Sequence, residues 1–278
     1  MNELKEIVSL AKESIIAQAK ENYRKSIAGE AAPRKKYCFP IEEAEAQQYL
    51  YGEYVKGVSA RRFLPFINDM ETADRIRVAA KWATNQDCKP WLLIYGPPSS
   101  GKTILANAIK SMAEELKKAF DADLLFKKRC DAAKAYIPMA KEEEKLLNAF
   151  ANAVIIPRFI KADDIAGILS KLQSFKLFDE AIQEYDRIKR SRFLIIDDMG
   201  EELVSVKVSG GNEYFPLIDI LNFRYKYMLP TIITSNLPLT TKDTNGQSIE
   251  TRYGKRIEGR MAEMCETVLS IGDYRHRR

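Results

Sequence analysis

The sequence predicts an α/β fold, a parallel sheet flanked by helices and built around a phosphate-binding loop. Three observations carry that expectation. From Arg62 onward, short apolar runs alternate with stretches of helical periodicity. One run, Trp91-Leu92-Leu93-Ile94-Tyr95, feeds Gly96-Pro97-Pro98-Ser99-Ser100-Gly101-Lys102-Thr103, which fits G-x-x-x-x-G-K-[ST] at each fixed position. Another, Phe193 to Ile196, ends in the paired carboxylates Asp197 and Asp198.

Taken in order, the strands are expected at Trp91–Tyr95, Ala153–Ile160, Phe193–Ile196, Thr231–Thr234 and Thr267–Ile271, which makes a five-stranded sheet. Helical patterns fill Thr103–Phe120, Ala162–Ser174, Leu177–Ile188 and Tyr214–Tyr227. The stretch from Asp121 to Phe150 is too long for a simple crossover and reads as a helical insertion. Ahead of the sheet, Leu4, Ile7, Val8, Ala11, Ile15 and Ala19 share one helical face. A break at Gly29 to Pro33 follows, and a second helix is expected from Ile41 to about Lys56, ending at Gly57. Residues 1–60 are electrically balanced and too short for a large core of their own, so their apolar face needs cover from the chain's core or from a partner. They are assigned as a helical N-terminal partner-binding segment, and residues 61–278 as the nucleotide-binding domain.

Composition removes several function classes. The chain has 278 residues, 46% of them apolar and 30% charged, which is a folded protein with a real core. Its net charge of +5 permits an acidic or nucleic-acid partner without requiring one. Cys38, Cys88, Cys130 and Cys265 form no C-x-x-C pair, which argues against a zinc ribbon or a disulfide scaffold and for a cytoplasmic location. His276 is the sole histidine and sits near the end, so histidine-based acid–base chemistry and histidine-ligated metals are set aside. No apolar run is long enough for a membrane helix, and the charged N-terminus has no signal-peptide pattern.

The chemistry follows from the loop. Gly96 and Gly101 let backbone N–H groups turn inward around phosphate oxygens, and the helix opening at Thr103 adds positive potential. Lys102 is expected to bridge the β- and γ-phosphates of ATP and the Thr103 hydroxyl to ligate Mg²⁺. Asp197 is expected to hold Mg²⁺ through water, and Asp198 to orient or polarise the attacking water. Neighbouring strand residues face opposite ways, so both acids reach one site only if the strand ends at Asp197. The third strand leads into Ser235-Asn236, placing a polar side chain where it can detect the γ-phosphate. Arg256 and Arg260, four apart, share a helix face.

These strand ends, in this order, resemble the AAA+ ATPases, and more closely the DnaC/DnaI-type helicase loaders and their IstB-like transposition relatives. The resemblance covers about residues 62–278. It rests on Ile195-Ile196-Asp197-Asp198-Met199-Gly200, on Asn222-Phe223-Arg224-Tyr225 ahead of Pro230 to Asn236, and on Arg256-Ile257-Glu258-Gly259-Arg260-Met261. It implies a AAA+ core without a C-terminal helical lid. It also implies an arginine finger at Arg260, supported by Arg256, that completes a neighbouring subunit's site. The implied partners are a replicative helicase or a transposase, single-stranded DNA, and further copies of the chain. Ser99 departs from the glycine usual at that loop position, and the 121–150 insertion has no counterpart.

For DNA, the resemblance points to the helices before Asp197, with Lys171, Phe175, Lys176, Phe178, Tyr185, Arg187, Lys189, Arg190 and Arg192. Cations there would neutralise phosphates and an aromatic would stack on bases. Residues 121–192 nevertheless balance fourteen basic against twelve acidic residues, so no basic footprint stands out. The sequence therefore predicts an ATP-hydrolysing switch that loads a replicative helicase. The alternatives are an IstB-like transposition helper, a nucleotide-responsive DNA-binding module with negligible hydrolysis, and a small-molecule phosphotransferase. The paired acids, Asn236 and the paired arginines argue against the last.

Overall fold

The computed structural model describes residues 36–62, 70–132, 154–170, 178–207, 213–240 and 246–271. The expected first helix, the 133–150 part of the insertion, residues 171–177 and the basic tail from Gly272 lie outside the described residues.

The helices and strands run in the order α1 (Glu43–Arg62), α2 (Met70–Thr84), β1 (Trp91–Tyr95), α3 (Lys102–Ala132), β2 (Arg158–Lys161), α4 (Ala162–Ser170), α5 (Phe178–Lys189) and β3 (Leu194–Met199). A short antiparallel pair, β4 (Val206–Lys207) and β5 (Glu213–Tyr214), precedes α6 (Pro216–Lys226), β6 (Thr231–Ser235), α7 (Ile249–Tyr253), α8 (Lys255–Met264) and β7 (Cys265–Leu269). Five strands pair in parallel in the order β2-β3-β6-β1-β7, so the expected parallel five-stranded sheet flanked by helices is present. The order puts β6 between the strand that feeds the phosphate loop and the strand that carries the acids.

Both faces of the sheet are covered, which is why its strands are near-continuous apolar runs. Leu92, Ile94, Ile195, Ile232 and Val268 point into the layer of α1, α2 and α3. Trp91, Leu93, Leu194, Ile196, Ile233 and Cys265 point into the layer of α4 to α8. The period-2 alternation divides each strand between two cores.

Several boundaries differ from expectation for identifiable reasons. The second strand begins at Arg158, not Ala153, because Pro157 has no N–H for the ladder; the Arg158 N–H makes the first bond, to the Phe193 carbonyl at 3.0 Å. Helix α3 opens at Lys102 and runs on to Ala132, through the start of the expected insertion. Strand β7 starts two residues early, at Cys265, because α8 passes directly into it. Gly57 does not stop α1. A Cβ there would lie 2.7 Å from Ile104 Cγ2, so the glycine serves the close packing of α1 on α3.

The expected division between residues 60 and 61 falls inside α1. Ala46, Leu50, Tyr54 and Val58 of that helix are at most 4% exposed and belong to the same core as β1 and α3. Residues 36–60 are thus packed into the same core as the sheet, and residues 1–35 lie outside the described residues.

The Asn222-Phe223-Arg224-Tyr225 block has a structural reason. Arg224 is fully buried and donates to the Pro230 carbonyl (2.6 Å), the Ser191 carbonyl (2.8 Å) and Thr231 Oγ1 (2.8 Å). One guanidinium thereby fastens the segments that enter β3 and β6, and burial lowers its pKa to about 9.

Candidate nucleotide site

The site forms at the C-terminal ends of β1, β6 and β3, where the period-2 pattern delivers polar side chains to one face. Asp197 continues the face of Ile195, and Thr234 continues the face of Ile232, both on the α3 side. There the Thr103 hydroxyl donates to Asp197 Oδ1 at 3.0 Å, and the Thr234 hydroxyl donates to the same oxygen at 2.6 Å. Asp197 is 1% exposed, so both bonds act with little competition from water.

Asp198 reaches the site by a different route from the one expected. Strand β3 does not end at Asp197; it continues to Met199. Asp198 adopts φ +58, and the pairing with β6 shifts register between Ile196 and Met199. This left-handed residue is a bulge in the ladder, which breaks the alternation that would have sent Asp198 to the opposite face. Its N–H donates to Thr234 Oγ1 at 2.9 Å, so one hydroxyl ties both acids to β6. Burial and the adjacent Asp197 carboxylate raise the Asp198 pKa above the ordinary carboxylate range.

Lys102 is 5% exposed, and its ammonium donates to the Gly96 carbonyl at 2.9 Å and the Pro97 carbonyl at 2.7 Å. Burial lowers its pKa to about 8, against the opposing pull of Asp198, Asp197 and Glu201. Lys102 is therefore largely charged at neutral pH and faces the acid pair.

The loop's shape explains its residues. Gly96 has φ +150, and a Cβ there would lie 2.0 Å from the Ser270 carbonyl oxygen. Gly101 has φ +90, and a Cβ there would lie 2.0 Å from the Tyr54 hydroxyl. Ser99 also adopts a left-handed conformation, φ +62, at the position where glycine is usual in the resembling family. A non-glycine residue there carries roughly 1–2 kcal/mol of strain.

The structure brings Lys102, Thr103, Asp197 and Asp198 together at the end of the sheet, and turns Asn236 toward Glu201. Its amide donates to Glu201 Oε1 at 2.7 Å, and the Glu201 N–H closes a turn onto the Asp198 carbonyl at 3.2 Å. Asn236 thus braces the turn that follows the acids, and Thr234 is the β6 residue that touches them. Sequence reasoning passed over Thr234, whose signal was a hydroxyl ending the inward face of an apolar strand. The side-chain partners of Arg260 are on α6, not on the phosphate loop. The Arg260 guanidinium donates to Asn222 Oδ1 and lies 4.7 Å from the centre of the Tyr225 ring, while Arg256 is exposed.

The oxygen donors fit Mg²⁺, which takes one or two carboxylates and keeps phosphate and water ligands. Among the described residues no group of three or more His, Cys, Asp or Glu gathers to hold a metal by itself. Thr103 and Asp197 would hold the ion only together with phosphate.

The parallel sheet, the loop and its acid strand decide the architecture. The chain has a phosphate-loop α/β fold, with a five-stranded parallel sheet in the order β2-β3-β6-β1-β7. No protein-family model matches the sequence, and no curated protein matches it. Among solved structures it is similar to the DnaC helicase loader, at 19% identity and a TM-score of 0.43, covering 74% of this chain and 93% of that one. It is similar to DnaI at 19% identity and a TM-score of 0.44, covering 74% and 88% respectively. It is also similar to AMPPCP-bound DnaA from Aquifex aeolicus, at 17% identity and a TM-score of 0.41, covering 73% of this chain and 48% of that one. No helix among the described residues is long and apolar enough to cross a membrane.

Proposed function

We propose that this chain is an ATP-binding and ATP-hydrolysing switch of DNA replication, acting as a helicase loader in the cytoplasm. The observation that carries the nucleotide part is the Thr103–Asp197 hydrogen bond, which joins the phosphate loop to the acid strand. The loop N–H groups and the Lys102 ammonium bind the phosphates. Thr103 and Asp197 would hold Mg²⁺, and the ion would supply positive charge beside the phosphates. Asp198 orients and polarises the attacking water. Asn236, through Glu201, reports on the state of the turn beside the γ-phosphate. Arg260 of a neighbouring copy completes the site, supported by Arg256, a contribution of about 10³–10⁵ in rate for such arginines.

The helicase part of the reading is supported by the sequence blocks at 195–200, 222–236 and 256–261. Residues 1–35 would meet the helicase, and α5 with Lys189 and Arg190 would meet single-stranded DNA. In this reading turnover is slow until partner or DNA engages.

The test is titration with ATP and Mg²⁺, followed by turnover with and without single-stranded DNA. Lys102→Ala should abolish binding. Asp197→Asn should weaken the metal-dependent part, and Asp198→Asn should spare binding while stopping hydrolysis. A Lys102→Ala protein that binds ATP like the parent would refute the assignment.

A further inference from the structure

Behind the phosphate loop lies a buried polar cluster that the reaction scheme above does not use. The Ser100 carbonyl accepts from Arg75 Nη1 at 2.9 Å, from Ser270 Oγ at 2.7 Å and from the Tyr54 hydroxyl at 3.4 Å. Arg75 also donates to Ser270 Oγ at 2.6 Å and to Thr72 Oγ1 at 2.5 Å. Arg75 is 3% exposed, Ser270 1%, and Ser100 and Tyr54 are fully buried. A buried arginine is rare, and one fastened to a loop carbonyl calls for a reason beyond packing.

The geometry of a trans peptide supplies the reason. Its C=O and the following N–H point in opposite directions. No cis peptide bond occurs among the described residues. Drawing the Ser100 carbonyl back toward α1, α2 and the end of β7 therefore turns the Gly101 N–H forward, to the side where the loop encloses phosphate. Ser270 also holds the loop's other end. Its N–H donates to the Tyr95 carbonyl at 2.7 Å, and its own carbonyl occupies the space a Gly96 side chain would need.

We propose that Arg75 and Ser270 are positioning residues for phosphate recognition, holding the Ser100–Gly101 peptide so that its N–H is aimed before the nucleotide arrives. This rests on the nucleotide reading of the loop and adds the device that sets the loop's affinity. It also makes α2 and the residue after β7 levers on the site: anything that shifts either one rotates this peptide and weakens phosphate binding.

The experiment uses the full chain, titrated with ATP and with inorganic tripolyphosphate, which reads the loop without the base. Losing a strong buried hydrogen bond at this peptide should weaken both ligands about tenfold in Ser270→Ala, and further in Ser270→Ala combined with Arg75→Gln. Hydrogen exchange of the 99–102 amides in the bound state should rise, while protection in β1 and β7 is retained. Parental affinity for both ligands in Ser270→Ala and in the double variant overturns the proposal. So does a loss of affinity accompanied by equal loss of protection across β1 and β7, which marks general destabilisation. If the double variant does not fold, Ser270→Ala alone decides by the same two readouts. Failure of the parent to bind either ligand is a separate result that removes the nucleotide reading itself.

Discussion

The hydroxyl of Thr234 donates to Asp197 Oδ1 at 2.6 Å and accepts from the Asp198 N–H at 2.9 Å. One side chain on the middle strand thus fixes the rotamer of one acid and the backbone of the other. Because β6 lies between β1 and β3, it is the element placed to pass a change at the acids across the sheet to the phosphate loop. The Gly96 N–H is bonded to the Ser235 carbonyl at 3.2 Å, so the next residue of the same strand already holds the loop.

Thr234→Val keeps the shape and removes the hydroxyl. It leaves Asp197 with one bond fewer in a dry setting, at a cost of about 1–3 kcal/mol in stability. By analogy with outer groups that orient metal ligands, Mg²⁺-dependent activity should fall about 10–100-fold. Thermal melting and turnover at graded Mg²⁺ check both figures. Unchanged Mg²⁺ dependence would remove Thr234 from the site.

The pH profile follows from two shifted groups. Lys102 in the free protein has its pKa lowered to about 8 by burial, so above that pH it loses the charge that phosphate requires. Affinity for ATP should therefore fall as pH rises through 8, and binding there should take up as much as about one proton. Titration in buffers of different ionisation enthalpy at pH 7 and pH 9 measures the uptake. On the acid side turnover should fall as Asp198 protonates, at a pH above that of an ordinary aspartate because burial and Asp197 raise its pKa. Asp198→Asn should remove turnover at every pH.

The sheet was legible because each strand is a short apolar run bounded by a sharp chemical change, and the phosphate loop because its spacing is rigidly dictated. The paired acids were also legible, but not how both reach the site. A left-handed aspartate inside a strand has no local sequence signal, and it is Thr234 on another strand that holds it. Arg75 was equally hidden. It sits at helical spacing with Thr72, Ala79 and Trp82, a charge on an otherwise buried face, and only the fold reveals that Ser100 and Ser270 lie opposite. Helix α1 was legible as a helical stretch, but that Leu50, Tyr54 and Val58 pack into the core is a tertiary fact.

Removing residues 1–60 should therefore destroy the fold. Leu50, Tyr54 and Val58 would be lost from the core, and Tyr54 from its seat against Gly101. One buried leucine is worth about 2–5 kcal/mol, against about 5–15 kcal/mol for a whole domain. The shortened chain should be insoluble or unable to bind ATP, and Leu50→Ala in the full chain should lower the melting temperature sharply. A soluble, ATP-binding protein starting at Arg61 would contradict the packing of α1.

Ser99→Gly tests the loop strain. At φ +62 glycine is at ease where serine is not, so the change should stabilise the protein by about 0.5–1 kcal/mol after glycine's greater chain entropy is offset. Thermal melting without nucleotide reads it directly. A lower melting temperature would show that the serine side chain contributes more than its backbone costs.

The last prediction concerns Arg260, whose guanidinium is oriented by Asn222 and by the face of Tyr225 on α6, while Tyr225 is itself held by Glu263 at 2.7 Å. One nitrogen is committed to Asn222, which leaves the other donors of the planar fork for a neighbour's γ-phosphate. If Arg260 completes the site in trans, Arg260→Ala and Asp198→Asn proteins are each inactive alone. Mixed, they regain part of the parental turnover, because one kind of mixed interface contains both intact groups. Asn222→Ala should lower turnover by a smaller factor without changing ATP affinity, since it loosens the arginine and touches nothing else in the site. Arg256, exposed on the same helix, goes through the same mixing assay as the alternative donor. Recovery with Arg256→Ala and none with Arg260→Ala would move the finger by one helical turn. No recovery with either, in samples shown to be oligomeric, would mean that each copy hydrolyses ATP with its own residues alone.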